Sequence, residues 1–228
     1  MKHKNSHLLV GYWSRLRNGR SVPDQRDVDP RSIKRLLAQV FILDATEPAA
    51  PVYRLSGTSV CERFGAELKG KEFLSHFEEH SAVALAALLK QALNLRQPLC
   101  LLSIGATEDN GMVEIETVLT PISCGADGRP DRFLGMMQIL GDTAPLLGRT
   151  ISFQRLVGSQ FIREDEGIDE PDVMPPPPRI NRDGPNLRLV INRERPATVH
   201  FEGDERVASL LEQFGEAFNG NEQLKWMR

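Results

Sequence analysis

At 228 residues, of which 40% are hydrophobic, the chain has room for one ordinary domain with an extension, or for two small ones. Its 28 lysines and arginines against 31 acidic residues leave a net charge of −3, so nothing draws it generally to nucleic acid. The one long apolar-rich stretch, residues 82–95, is broken by Lys90, Gln91 and Asn94 and is too short to span a bilayer. No membrane insertion is expected. The apolar run at 8–13 is shorter than a secretory core and lacks a cleavage site, which points to a cytoplasmic protein.

The first predicted element is a helix. Leu9, Tyr12, Trp13 and Leu16 fall at i, i+3, i+4 and i+7, with Gly19 as a stop. Asp29 and Pro30 are placed to cap a second helix carrying Ile33, Leu36, Leu37 and Val40. The period then changes. Residues 40–44 and 52–57 read as a strand pair around a turn, and a short helix runs from Thr58 or Ser59 to Gly65. A turn over 70–77 leads into the clearest helix, striped by Leu85, Leu88, Leu89, Ala92 and Leu95 and stopped by Pro98. Three strands follow. Residues 99–104 are apolar, and Asp109-Asn110-Gly111 marks a hairpin turn. Val113, Ile115, Thr117 and Leu119 then alternate with more polar neighbours, while Pro121 limits that strand or puts it at an edge. Residues 132–140 are apolar on both faces and predict a central strand.

Two strands before the helices and three after them fit an α+β fold: one five-stranded antiparallel sheet with helices on one face, preceded by N-terminal helices. The organisation predicted is an N-terminal helical segment at 1–40, a sheet-bearing domain at 41–143 and an extended C-terminal region at 144–228. Within that last region 144–161 shows no clear period. Residues 164–172 carry six carboxylates in nine positions, Pro175 to Pro178 form a stiff segment, and five arginines lie between 179 and 195. Val207, Leu210, Leu211, Phe214 and Phe218 close the chain with an amphipathic stripe.

The element order over 41–140 resembles that of a PAS domain. The N-terminal half also resembles an alphaproteobacterial PAS-like family, through Tyr12-Trp13, Leu16-Arg17, Gly19-Arg20, Pro23, Asp27, Asp29-Pro30, Ile33 and Leu36-Leu37. Tyr53-Arg54-Leu55, Gly57-Thr58, Cys61, Phe64-Gly65 and Gly70 add to that likeness. The resemblance implies a bacterial sensory or interaction module that signals by association, and it transfers no particular ligand or binding residue. PAS domains host many cofactors or none, so the cofactor is left unnamed.

The chemistry-bearing motifs are weighed against that background. No Gly-x-Ser-x-Gly elbow, phosphate-binding glycine loop or dinucleotide fingerprint is present, and no enzyme is expected. Glu114 and Glu116 share one strand face and read as a solvated surface. Cys61, Cys100 and Cys124 have no metal-ligand spacing. Cys61 sits in Val60-Cys61-Glu62-Arg63-Phe64, which echoes a flavin-bonding segment only superficially and reads as a packing thiol. His76 and His80 lack a third ligand, so no metal site is predicted. Haem or another cofactor held by one of them is an alternative reading.

Phe73, Leu102, Ile104, Val113, Ile115 and Met137 are the candidate lining of a small-ligand pocket, or else plain core. Leu9, Tyr12, Trp13 and Leu16 are the candidate surface for a protein partner or homodimer, or else dock on their own sheet. A nucleic-acid regulator using the tail arginines is the disfavoured third reading, because no stacking aromatics are interleaved with them.

Overall fold

The computed structural model describes residues 1–125 and 127–163. The acidic block, the polyproline segment, the tail arginines and the terminal amphipathic stripe therefore lie outside the described residues.

The fold is α+β, as the patterning predicts, around one antiparallel sheet. Its strands are β1 (Val40–Asp44), β2 (Val52–Ser56), β3 (Leu99–Thr107), β4 (Met112–Ser123), β5 (Pro130–Leu140) and β6 (Ile151–Phe161). Their spatial order is β2-β1-β5-β4-β3-β6. The sheet thus has six strands where the sequence predicts five, the sixth coming from the stretch that showed no period. β6 pairs along β3 with register shifts after Leu102 and after Ala106. Each bulge switches the inward-facing parity, so no alternation survives in the sequence. The edge that β6 would leave open is partly closed. Its Gln154 carbonyl accepts the Glu78 N–H at 3.0 Å, and its Leu156 N–H donates to Ser81 Oγ at 2.9 Å.

Each face of the sheet carries its own hydrophobic layer, covered in full on one side and in part on the other. On one face lie α2 (Thr58–Phe64), a 3-10 turn at Leu74–His76 and α3 (Glu79–Leu95). Their Val60, Leu85, Leu89 and Ala92 pack on Phe41, Leu99, Leu119 and Phe133. On the other face lies α1 (Lys4–Arg17), whose Leu9, Tyr12 and Trp13 pack on Val118, Ile122, Leu134 and Met136. Asn18, left-handed at φ 44°, ends α1 one residue before the predicted glycine, its N–H returning to the Arg15 carbonyl.

The second predicted helix is absent. Asp29 does cap Arg31 N–H at 2.9 Å, but only 3-10 turns follow, at Pro30–Ile33 and Leu37–Gln39. Tertiary contact overrides the helical spacing here. Gly57 comes so close that a Cβ on it would stand 2.3 Å from the Leu37 carbonyl oxygen, and its own N–H donates to the Val40 carbonyl at 2.8 Å. The segment buries Ile33, Leu36 and Leu37 and is extended again by Val40.

Pro121 does not end β4, which continues to Ser123. β3 stops opposite β4 at the Leu99–Leu119 pair, so Pro121 meets only β5, through Phe133, and its missing N–H breaks no ladder bond on the other side. β5 lies between β1 and β4, the central place its two apolar faces predict.

Candidate functional site

The helix-covered face holds four of the six predicted pocket residues. Phe73, Val113, Ile115 and Met137 are all buried in one layer. Phe73 is the centre of an aromatic group, with ring centroids 6.0 Å from Phe41, 5.7 Å from Tyr53 and 5.4 Å from Phe77. Contacts at these separations are those of well-packed rings.

Set into this apolar layer are three polar side chains: His76, which the sequence reading considered as a cofactor ligand, and Tyr53 and Arg63, whose buried polar atoms it did not single out. Tyr53, on β2, is 1% exposed, and its hydroxyl has no hydrogen-bond partner among the described residues. Burial pushes its pKa far up. The His76 ring lies tilted 4.2 Å from Phe64 and edge-on 5.9 Å from Tyr53, and its buried Nε2 also lacks a partner among the described residues. Burial, helped by Lys71, lowers its pKa to about 4, so the ring is neutral at pH 7. From α2, Arg63 donates to the Met137 carbonyl at 2.8 Å, and burial draws its pKa down. Buried polar atoms without partners are uncommon in folded proteins, and these are the groups that could meet a small polar ligand.

Leu102 and Ile104 do not belong to that pocket. They pair with Glu116 and Glu114, which places them on the opposite face together with Cys100 and Val118. The inward positions of β3 are Leu99, Leu101, Ser103 and Gly105, which run from large to small for a steric reason. A Cβ on Gly105 would meet Ile115 Cδ1 at 2.7 Å, and Ser103 Oγ donates to Gln154 Oε1 at 2.9 Å. Near the turn, the more hydrophobic parity of β3 thus faces outward.

Of the two places expected for the α1 stripe, the structure shows it docked on its own sheet. Leu9 and Trp13 are 0% and 2% exposed, Tyr12 is buried, and Leu16 is half-buried against the same layer. Trp13 Nε1 donates to the Pro121 carbonyl at 2.7 Å, and the Tyr12 hydroxyl accepts the Asp29 N–H at 2.8 Å. The stripe is used within the chain. Glu116, read as solvated, anchors the start of the same helix: its two carboxylate oxygens accept the main-chain N–H groups of Lys2 and of His3, the latter at 3.0 Å. Burial would raise its pKa, but the Ser6 side chain and these two N–H groups outweigh that and hold it below the usual range. Glu114 beside it is exposed and pairs with Lys2 Nζ at 3.3 Å.

α1 begins over Glu116 and covers only part of this face. On the part beyond, half-buried Leu102, Ile104 and Ala106 line up with Met112, 67% exposed, and Phe153, 45% exposed. Buried Gln138, opposite Glu116, leaves Nε2 without a partner among the described residues. The result is an apolar patch with a polar rim on a part of the sheet face that no described element covers.

The remaining motifs hold no assembled chemistry. His76 lies in a 3-10 turn, Phe77 is extended, and His80 is exposed on α3, so the two histidines do not share a helix face. Among the described residues no cluster of three or more His, Cys, Asp or Glu is placed to hold a metal. Cys61 Sγ lies 3.9 Å from Glu67 Oε1, while burial, with Glu116 nearby, raises the Cys100 thiol to about 12. No helix among the described residues is long and apolar enough to cross a membrane.

The chain is similar to the light-oxygen-voltage protein of Rhodobacter sphaeroides, at 18% identity and TM-score 0.39 over 51% of this chain and 71% of that one. It is similar to the VqmA–ligand–DNA complex of Vibrio cholera at 20% identity and TM-score 0.36, over 50% of this chain and 51% of that one. An RNA-binding light-oxygen-voltage receptor is similar at 15% identity and TM-score 0.38, over 49% of this chain and 32% of that one. No curated protein matches it. A family profile described as the PAS domain matches residues 1–138, which span α1, the sheet through most of β5 and the helices on both faces. With more than half of its length inside that profile, the chain belongs to the PAS domain family.

Proposed function

We propose that this PAS module is a non-enzymatic regulator that acts by protein association, with the uncovered sheet face as its contact surface. The observation that carries this reading is the exposed apolar patch of Leu102, Ile104, Met112 and Phe153 beside the start of α1. A contiguous apolar patch rimmed by polar groups is a common mark of a protein contact. A second copy of the chain is the simplest occupant, since a two-fold contact needs only one self-complementary patch. Ile104→Lys places a charge across from Glu114, where the sheet tolerates it. The expected result is at least a tenfold loss of self-association by sedimentation, or about 1.4 kcal/mol, with an unchanged circular dichroism spectrum. Wild-type and variant chains that stay equally monomeric, or equally dimeric, would sink this face as the dimer contact.

A second reading is favoured by a separate observation, the partnerless Tyr53 Oη and His76 Nε2 within the aromatic layer. In this reading a small ligand or cofactor, haem through His76 included, occupies the helix-covered side and shifts the populations of two conformations. Native mass spectrometry of fresh protein, with an absorbance spectrum of the same sample, separates the two. Added mass or visible absorbance supports a ligand-gated sensor. A bare polypeptide mass with no visible band leaves association through the open face as the reading to pursue.

A further inference from the structure

The N-terminal cover of the sheet carries a charge of its own. Residues 1–35 hold nine lysines and arginines against three aspartates, whereas residues 36–163 hold eleven against fourteen acidic residues. A basic cap therefore sits on an otherwise acidic domain. Its three carboxylates are all engaged locally. Asp24 pairs with Arg26 at 3.2 Å, Asp27 pairs with Arg20, and Asp29 accepts the Arg31 N–H at 2.9 Å and the Ser32 hydroxyl at 3.4 Å. Arg15, Arg31, Lys34 and Arg35 are exposed, and none forms a salt bridge to another described residue.

The fold presents these four cations together. The 3-10 segment buries Ile33, Leu36 and Leu37, which sends Arg31, Lys34 and Arg35 to its solvent side. Side chains three apart eclipse in a 3-10 helix, so Arg31 and Lys34 share one edge, with Arg35 next to them. Arg15 comes from α1, one turn past Tyr12, whose hydroxyl accepts the Asp29 N–H at 2.8 Å. Burial pushes that hydroxyl up to about 12, and the Asp29 N–H and the Arg15 charge both pull against it, which puts Arg15 within electrostatic reach of the Asp29 corner. The Tyr12 bond and the buried side chains fix the backbone beneath. Cations on a fixed platform lose less freedom on binding.

The chemistry of this surface narrows its occupant. Among the described residues, every exposed large hydrophobic side chain lies outside residues 1–35. A lipid surface would need an apolar face to insert, and a single nucleic-acid strand would need aromatic rings to stack on. From Arg31 to Arg35 the backbone advances only about 8 Å, a track for no more than a couple of duplex phosphates. Closely spaced arginine forks suit closely spaced carboxylates, each met by two parallel hydrogen bonds.

We propose that Arg15, Arg31, Lys34 and Arg35 form a docking surface for an acidic segment of a partner protein, one with closely spaced glutamates or aspartates. A single exposed ion pair contributes little, and four on one rigid platform add up. The surface is separate from the apolar patch on the sheet, and the inference stands whether or not that patch pairs two copies.

The probe is a dye-labelled oligoglutamate, titrated with the full chain and read by fluorescence anisotropy. Binding is expected at low salt. It is expected to fade as salt rises from about 20 mM to about 0.5 M and the screening length shrinks from roughly 20 Å to roughly 4 Å. Arg31→Gln/Lys34→Gln/Arg35→Gln is expected to weaken it about tenfold, within the range for three exposed pairs. Lys69→Gln/Lys90→Gln/Arg129→Gln removes the same charge from exposed positions elsewhere and is expected to change it by less than about twofold. Arg15→Gln, on a different element, is expected to weaken it about threefold and serves if the first variant melts early. Equal losses in the two triple variants overturn the proposal, because overall charge then explains the binding. No binding at low salt overturns it as well. Tighter binding of duplex DNA or of anionic lipid vesicles, lost in the same variant, overturns the acidic protein segment as the occupant.

Discussion

Replacing Trp13 with alanine is expected to lower the stability of the fold by about 3–5 kcal/mol, the range for truncating a buried aromatic side chain. For a chain of this size that corresponds to roughly a 10–15 °C drop in melting temperature, read from a far-ultraviolet thermal melt. Trp13 is 2% exposed and fills the space between α1 and the sheet, and its Nε1 donates the hydrogen bond at 2.7 Å that satisfies the Pro121 carbonyl. Trp13→Phe keeps most of the buried area and gives up the donor, so about 1–2 kcal/mol is expected for it. A loss of association in the alanine variant would follow from α1 leaving the sheet and would not locate a partner surface. An alanine variant that melts within about 2 °C of the parent, or about 1 kcal/mol, would mean that α1 is not docked in solution.

The second large effect is acid sensitivity that begins well above the range of carboxylates. His76 is held neutral in the folded chain, its pKa lowered to about 4 by burial and then by Lys71, against an ordinary value near 6.5. The unfolded chain therefore binds a proton between those values that the folded chain does not. Stability is fully retained above about pH 6.5, falls as the pH drops towards 4, and stops falling on this account below 4. The total from this one ring is on the order of 3 kcal/mol. Glu116, with its pKa depressed, acts in a lower window: its contribution is present above the ordinary glutamate value and is lost as the pH falls through its folded one. His76→Phe keeps a ring between Phe64 and Tyr53 and removes the proton site. Urea midpoints at about pH 7, 5.5 and 4.5 are expected to fall steeply for the parent and much less for the variant. Parallel decline in both proteins would show that His76 does not sense pH.

Much of the architecture was legible because local and tertiary demands agree. β1 and β5 are apolar on both faces and are paired on both sides, and α3 carries a helical stripe that the sheet buries. Where the two demands part, patterning misled. Ile33, Leu36 and Leu37 have helical spacing because they must all reach the sheet, yet the close approach of Gly57 leaves room only for 3-10 turns. β6 hid behind two register shifts.

Two pocket positions and the place of the α1 stripe turn on one point, that hydrophobicity does not say which way a residue faces. Leu102 and Ile104 were read as inward because they are large, whereas the positions that face inward near them are Ser103 and Gly105, kept small by Ile115. The sequence left Leu9, Tyr12 and Trp13 open between a partner surface and a dock on their own sheet, and the second face of the sheet takes them as its cover. Glu116 looked solvated because its partners are main-chain N–H groups 113 and 114 positions away, which no local pattern reveals. Strand pairing, once known, settles all three.

The anchoring of α1 also sets a clock on the ribosome. The two residues just before its first turn are held by Glu116, and Trp13, in its third turn, donates to the Pro121 carbonyl 108 positions away. The helix leaves the exit tunnel long before β4 and β5 exist to receive it. At typical rates of roughly 5–20 residues per second, its apolar stripe waits for about 5–25 s without a surface to cover. α1 is thus made well before the strands that receive it, and for that interval the nascent chain presents Leu9, Tyr12 and Trp13 as an exposed site for a chaperone to hold.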